Sequence, residues 1–129
     1  MQEINNDFIK YWFENGILCS EFTKPVVVNL DEMKKMIELR HQISNNTKQY
    51  WLYDLRQVTS MLKGARDYAE IHGQDFLYAS AVIVDSHVTM FIFNIFVKIK
   101  TPKIPFKVFT SKEKAVKWLN QLKNKNQAS

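Results

Sequence analysis

Leu77-Tyr78-Ala79-Ser80-Ala81-Val82-Ile83-Val84 is the stretch on which the fold turns. It alternates little and is almost wholly apolar, the pattern of a strand in the middle of a parallel sheet, covered on both faces. Such a strand needs helices around it, and the flanking sequence supplies candidates. On the N-terminal side, Tyr50 to Leu55 is a compact apolar-aromatic run, short enough for a buried strand. A helix is expected from about Ser60 to His72, with Gly73 placed for a left-handed C-cap. On the C-terminal side, Val88 to Ile99 is rich in β-branched and aromatic residues, yet its length and its place after a strand favour a helix. Pro102 and Pro105 end that segment, and Phe106 to Phe109 reads as the last strand. Thr110 with Glu113 forms a capping box for a terminal helix that buries Ala115, Trp118, Leu119 and Leu122.

The opening of the chain has a different rhythm. Phe8 to Glu14 and Ile17 to Phe22 flank Asn15-Gly16, a dipeptide whose tolerance of positive φ suits a type I′ hairpin turn. A short extended run, Val26 to Val28, follows Lys24-Pro25. Asn29 and Glu32 then form a capping box for a helix running from Leu30 to about Ser44-Asn45-Asn46. Leu30, Met33, Met36, Ile37 and Leu39 are its apolar positions, leaving Lys34, Lys35, Glu38 and Arg40 mostly outward. A hairpin followed by alternating strands and helices specifies an α/β fold. The sheet is mixed and mostly parallel, with four helices, in a single domain spanning 1–129 whose residues 1–6 and 124–129 fray.

Composition narrows the function classes. The apolar share of 46% and charged share of 24% are those of an ordinary globular chain, and 9 Phe, 5 Tyr and 3 Trp imply an aromatic-heavy core. A single cysteine, Cys19, forbids an internal disulfide and a Cys-based zinc site, which fits a reducing, cytoplasmic setting. No signal peptide is readable at Met1 to Asp7, and the most apolar stretch, Val88 to Val97, is about half of the ~20 residues that span a bilayer. Charge is lopsided: residues 98–129 hold 9 Lys against Glu113 alone, whereas the remainder has 9 basic and 12 acidic residues. Such asymmetry can attract nucleic acid, anionic lipid or an acidic protein, and it can equally be a solvated helix face.

Motifs for catalysis are thin, and the chain reads as no enzyme. Asp85-Ser86-His87 contains triad letters, but consecutive residues project apart, and a helix cap is the better role for Ser86 or Asp85. His41, His72 and His87 lack metal-ligand spacing, and no glycine-rich phosphate loop exists, so neither a metal nor a cofactor is expected. Asp54 and Asp85 fall at the carboxyl ends of adjacent strands, where open α/β sheets bind ligands; with Arg56 they are the candidate polar site. Thr59 and Ser60 stand at the expected start of a helix, where backbone N–H groups favour a phosphate, and are the candidate phosphoacceptors. Nucleic-acid binding through Lys112, Lys114, Lys117 and Lys123 is disfavoured because Trp118 and Phe109 are needed by the core. As a helix, 88–99 places Val88, Phe91, Ile92, Ile95, Phe96 and Ile99 on one face, with Met90, Phe93 and Val97 widening it. A second copy of the chain or a protein partner is the simplest cover for that surplus; packing inside the domain is the other.

The order hairpin, helix, strand, helix, strand, helix, strand, helix resembles the STAS fold of the SpoIIAA-like anti-sigma-factor antagonists. Asp54-Leu55-Arg56-Gln57-Val58-Thr59 is similar to that family's Asp-Leu-Ser-x-Val-x segment, through Asp54, Leu55, Val58 and Thr59. Ala79 to Asp85 and Phe106 to Leu122 resemble the SpoIIAA-like branch that is similar to lipid-binding CRAL-TRIO domains. The family's phosphoacceptor serine would fall near Lys63, where this chain has Leu62-Lys63-Gly64-Ala65 instead of Asp-Ser-Ser-Gly. The resemblance thus implies a non-enzymatic regulatory or binding module without that phospho-switch. Its lipid-binding relatives imply an alternative, a carrier of an apolar small molecule lined by Phe91, Ile95 and Phe96.

Overall fold

The computed structural model describes residues 3–5, 7–87, 89 and 102–128. Among these residues eleven elements run in the order β1 (Glu3–Asn5), β2 (Ile9–Glu14), β3 (Ile17–Phe22), β4 (Val26–Val28), α1 (Leu30–Ser44), β5 (Gln49–Asp54), β6 (Val58–Met61), α2 (Lys63–His72), β7 (Leu77–Ile83), β8 (Phe106–Phe109) and α3 (Lys112–Ala128). One sheet has the order β1-β2-β3-β5-β7-β8, and β4 with β6 forms a separate two-stranded ribbon. β1, β2 and β3 pair antiparallel, whereas β3, β5, β7 and β8 pair parallel, so the sheet is mixed and mostly parallel. Three helices stand among the described residues, not four. Apart from Thr89, the helix expected over 88–99 lies outside the described residues, and with it Val88, Phe91, Ile92, Ile95, Phe96 and Ile99.

Local chemistry accounts for the elements that match expectation. Asn15 and Gly16 both have positive φ, 52° and 78°, as a type I′ turn requires. Asn29 Oδ1 accepts the Glu32 N–H at 2.9 Å while Glu32 Oε1 receives the Asn29 N–H at 3.4 Å, closing the capping box of α1. β7 is flanked by parallel neighbours on both sides and is buried from Ala79 to Ile83.

Alternation along the strands then sorts the core into two layers. Tyr11, Leu18, Trp51, Tyr53 and Val82 meet Met33, Met36 and Ile37 of α1 and Ala65 of α2. Ile17, Cys19, Leu52, Ala79, Ala81 and Ile83 meet Ala115 and Leu119 of α3 on the opposite face.

Several expectations are corrected. Residues 58–61 are a strand, because Val58, Ser60 and Met61 pair in parallel with Val26, Val27 and Val28 of β4, some thirty residues earlier, with Thr59 at a shift in the register. The second helix therefore starts at Lys63, and its N-cap, Leu62, makes no side-chain cap bond. Gly73 is right-handed, with φ −66°; its lack of a Cβ matters because one would collide with the Ala69 carbonyl. The positive φ falls instead on Phe76, at 58°. Ser111, and not Thr110, caps α3, its hydroxyl accepting the Lys114 N–H at 3.3 Å. Glu3–Asn5 pair with β2, and α3 continues to Ala128, with Lys123 Nζ donating to the Asn15 carbonyl at 2.6 Å and Asn126 to the Tyr50 hydroxyl.

The largest correction concerns Arg40, which is 1% exposed. Met33, Met36, Ile37, Arg40 and Ser44 recur at three- and four-residue intervals and form the buried stripe of α1. Position thus outweighs charge. The guanidinium lies over the Trp51 ring at 4.6 Å and donates to the carbonyls of Asp75 at 2.9 Å and Gly73 at 3.2 Å. Its Nε has no hydrogen-bond partner among the described residues. Arg40 thereby ties α1 to the turn between α2 and β7, and burial lowers its pKa.

Candidate functional site

Strand register assembles a charged row at the carboxyl ends of the sheet. Lys10 of β2 pairs with Glu21 of β3, Glu21 with Asp54 of β5, and Asp54 with Ile83 of β7. Because side chains alternate, Glu21 and Asp54 follow Cys19 and Leu52 onto the α3 face. Lys112, in the first turn of α3, comes over the same ground. Trp12, Cys19, Ser20, Glu21, Leu52, Asp54, Arg56, Ile83 and Lys112 line a recess of about 40 Å³. That is room for a water or two, at ~30 Å³ each in the liquid. Beside it, a groove of about 560 Å³, open to solvent, runs past Lys10, Phe22, Thr23, Arg56 and Gln57.

The charges of this row are matched among themselves. Arg56 Nη2 donates to Asp54 Oδ2 at 2.7 Å, Nε lies 3.1 Å from both carboxylate oxygens, and the Arg56 backbone N–H reaches Oδ1 at 2.9 Å. Hydrogen bonding to Asp54, then its charge, raise the Arg56 pKa further. Lys10 Nζ lies 3.7 Å from Glu21 and 5.4 Å from the centre of the Trp12 ring, over which Lys112 also stands at 5.8 Å. Trp12 is therefore held by two cations, a role not apparent from its place in the hairpin.

Of the polar trio expected at the strand ends, the structure joins two. Asp54 and Arg56 form the pair just described. Asp85 is exposed, is not among the recess-lining residues, and takes the Thr89 hydroxyl at 3.4 Å. Ser86 accepts the Thr89 N–H at 3.1 Å, the geometry of a helix cap, which also occupies the hydroxyl of the Asp85-Ser86-His87 string. Thr59 and Ser60 are exposed on β6 and not at a helix N-terminus, so the dipole argument for a phosphate there falls away. Thr59 Oγ1 instead donates to the Val26 carbonyl at 3.1 Å, stitching the ribbon.

Burial holds the Cys19 thiol and the Tyr11 and Tyr53 hydroxyls in their protonated forms. Burial, with Glu14 beside it, pushes the Cys19 thiol up to about 12, against a smaller opposing pull from Lys112. Burial likewise raises the pKa of Tyr11 and Tyr53, whose hydroxyls donate to the Met36 carbonyl at 2.9 Å and the Met36 sulfur at 3.1 Å. Among the described residues, no three His, Cys, Asp or Glu side chains gather as a metal site. No helix among them is long and apolar enough to cross a membrane.

Comparison with known proteins agrees with this picture of the fold. Residues 11–123 match the family model described as "Domain of unknown function (DUF7793)". The crystal structure of an uncharacterized protein from the DUF3478 family, with a SpoIIAA-like fold, from Shewanella loihica PV-4, superposes with a TM-score of 0.65 at 15% identity, over 92% of this chain and 99% of that one. The fold is thus SpoIIAA-like. No curated protein matches the chain.

Proposed function

The chain belongs to the DUF7793 family, and from that premise we propose that it is a non-enzymatic regulatory or protein-interaction module that works through its surface, as a homodimer or with a protein partner. One observation carries the reading. The strand ends, where an α/β enzyme of this kind would hold its substrate, offer a recess of only about 40 Å³, against roughly 300–1,000 Å³ for a small-molecule site, and the larger volume beside it, about 560 Å³, is an open groove. The adjoining groove is wide and open, and its charges are paired as Lys10–Glu21 and Asp54–Arg56. An open, self-neutralised groove suits a polypeptide surface better than a reaction centre. The protonated, buried Cys19 supports the same view and fits a reducing, cytoplasmic setting.

The homodimer part rests on sequence: nine of the twelve residues in 88–99 are apolar. Light scattering at tens of micromolar tests it. The expected result is twice the mass of one chain, falling to one chain in a Phe91→Ser, Ile95→Ser double variant that keeps its circular-dichroism spectrum. A strict monomer in the wild type removes self-association. Native mass spectrometry with a stoichiometric apolar ligand aboard overturns the interaction reading in favour of a carrier.

A further inference from the structure

We propose that the outer edge formed by β8 and α3 docks reversibly on a bilayer surface carrying anionic phospholipid headgroups. Among the described residues the surplus positive charge from Lys103 onward is divided by the fold, and only part of it is free to meet a partner. Lys123 is spent on the Asn15 carbonyl and Lys112 leans over Trp12, both toward the hairpin. The remaining lysines of α3 face the other way. At 100° per residue, Lys114, Gln121 and Lys125 fall within about 40° of one another, with Lys117 about 60° from Lys114. Trp118 lies on that side and packs on Phe109 of β8 at 5.8 Å, so the stripe borders β8, the edge strand among the described residues. Lys107 of β8 stands over the Phe109 ring at 5.5 Å and extends the stripe across the sheet edge. All four lysines are exposed, and among the described residues none is in an ion pair. Glu113 is the one acid on α3.

The chemistry of this surface favours lipid over its competitors. Every basic residue from Lys98 onward is lysine and none is arginine. An ammonium is a hydrated point charge without the planar fork that reads a carboxylate or phosphate in one geometry, so the patch suits a diffuse negative plane better than a shaped acidic protein. A nucleic-acid strand would need rings to stack on, and the two aromatic side chains beside the stripe are packed against each other. Four lysines on one face, without inserted apolar side chains, make an electrostatic contact that is weak and salt-sensitive.

The test is sedimentation of the full chain with vesicles of phosphatidylcholine alone or with three parts in ten phosphatidylserine, at low salt. Binding is expected only to the anionic vesicles, lost when salt rises to half molar. Lys114→Gln with Lys117→Gln should weaken it roughly 25-fold, about fivefold for each lysine near the surface. Lys34→Gln with Lys35→Gln, the same change of net charge on α1, should leave binding within twofold. Equal loss in the two double variants, binding to neutral vesicles, or absence of binding at low salt overturns the proposal. Displacement from vesicles by equimolar duplex DNA or single-stranded RNA assigns the surface to nucleic acid instead.

Discussion

The two faces of the sheet are filled by different means. Beneath α1 and α2 the core is aromatic and polar: Trp51 stacks on Tyr53 at 4.4 Å, Arg40 covers Trp51, and Trp51 Nε1 donates to Ser20 at 2.9 Å. Beneath α3 its centre is small and aliphatic, with Ala79, Ala81 and Ala115 bringing the helix close and Leu119 filling the gap, while Trp12, Tyr50, Phe109 and Trp118 pack around that centre. Hydrogen bonds have direction, and dispersion contacts do not. One face is therefore specified by where its donors point, the other by volume. Among the described residues two helices share the first face, and the bonds from Arg40 to the α2–β7 turn fix how they sit; α3 covers the other mainly by fit, with directed bonds only toward its C-terminal end, from Lys123 to Asn15 and Asn126 to Tyr50.

The largest expected effect breaks the directed face. Arg40→Ala should cost about 4 kcal/mol in urea denaturation, because two half-buried carbonyls lose their donors and a cavity opens. Arg40→Lys should recover less than half of that, since one ammonium cannot reproduce the fork to Gly73 and Asp75. A neutral Arg40→Lys would show that stem packing alone matters. Leu119→Ala comes next, at about 3 kcal/mol, while Leu119→Met should cost under ~1.5 kcal/mol, as volume-conserving swaps do. A large loss in Leu119→Met would mean that shape on the α3 face is as exacting as direction on the other.

The smallest effect is a pH dependence confined to the directed face. Burial and the Arg40 guanidinium hold the His41 pKa below 6.5, with His72 adding and Asp75 and Glu38 opposing. A depressed pKa means that the unfolded chain takes up the proton first. His41 therefore contributes its full stabilisation above pH 6.5 and loses it as pH falls through the folded value. Urea midpoints at pH 7.5 and 5.5 should show the drop, and His41→Phe should flatten it. An unchanged slope in His41→Phe would place the acid sensitivity elsewhere.

Reading the sequence went furthest where neighbours along the chain decide the outcome. The Asn15-Gly16 turn, the Asn29 capping box and the Asp54–Arg56 pair are contacts between residues at most three apart. Arg40 was equally legible by spacing, but its charge argued for solvent, and only the carbonyls of Gly73 and Asp75 reverse that argument. The strand at 58–61 mimics a helix start because Thr59 and Ser60 are good caps; its ladder partner β4 lies far upstream. Trp12 and Lys112 join Asp54 at the recess by register and crossover, which leave no local mark.

From the chain alone came the class of fold, the mostly parallel sheet with its opening hairpin, the likeness to SpoIIAA-like domains and the uneven charge. These follow from periodicity, turn chemistry and composition, all local or additive quantities. Tertiary structure decided which lysines stay free, that a guanidinium belongs in the core, and that the strand ends close on their own ion pairs. Each of those depends on partners distant in sequence, whose donors and charges become available only when the sheet brings them within bonding distance.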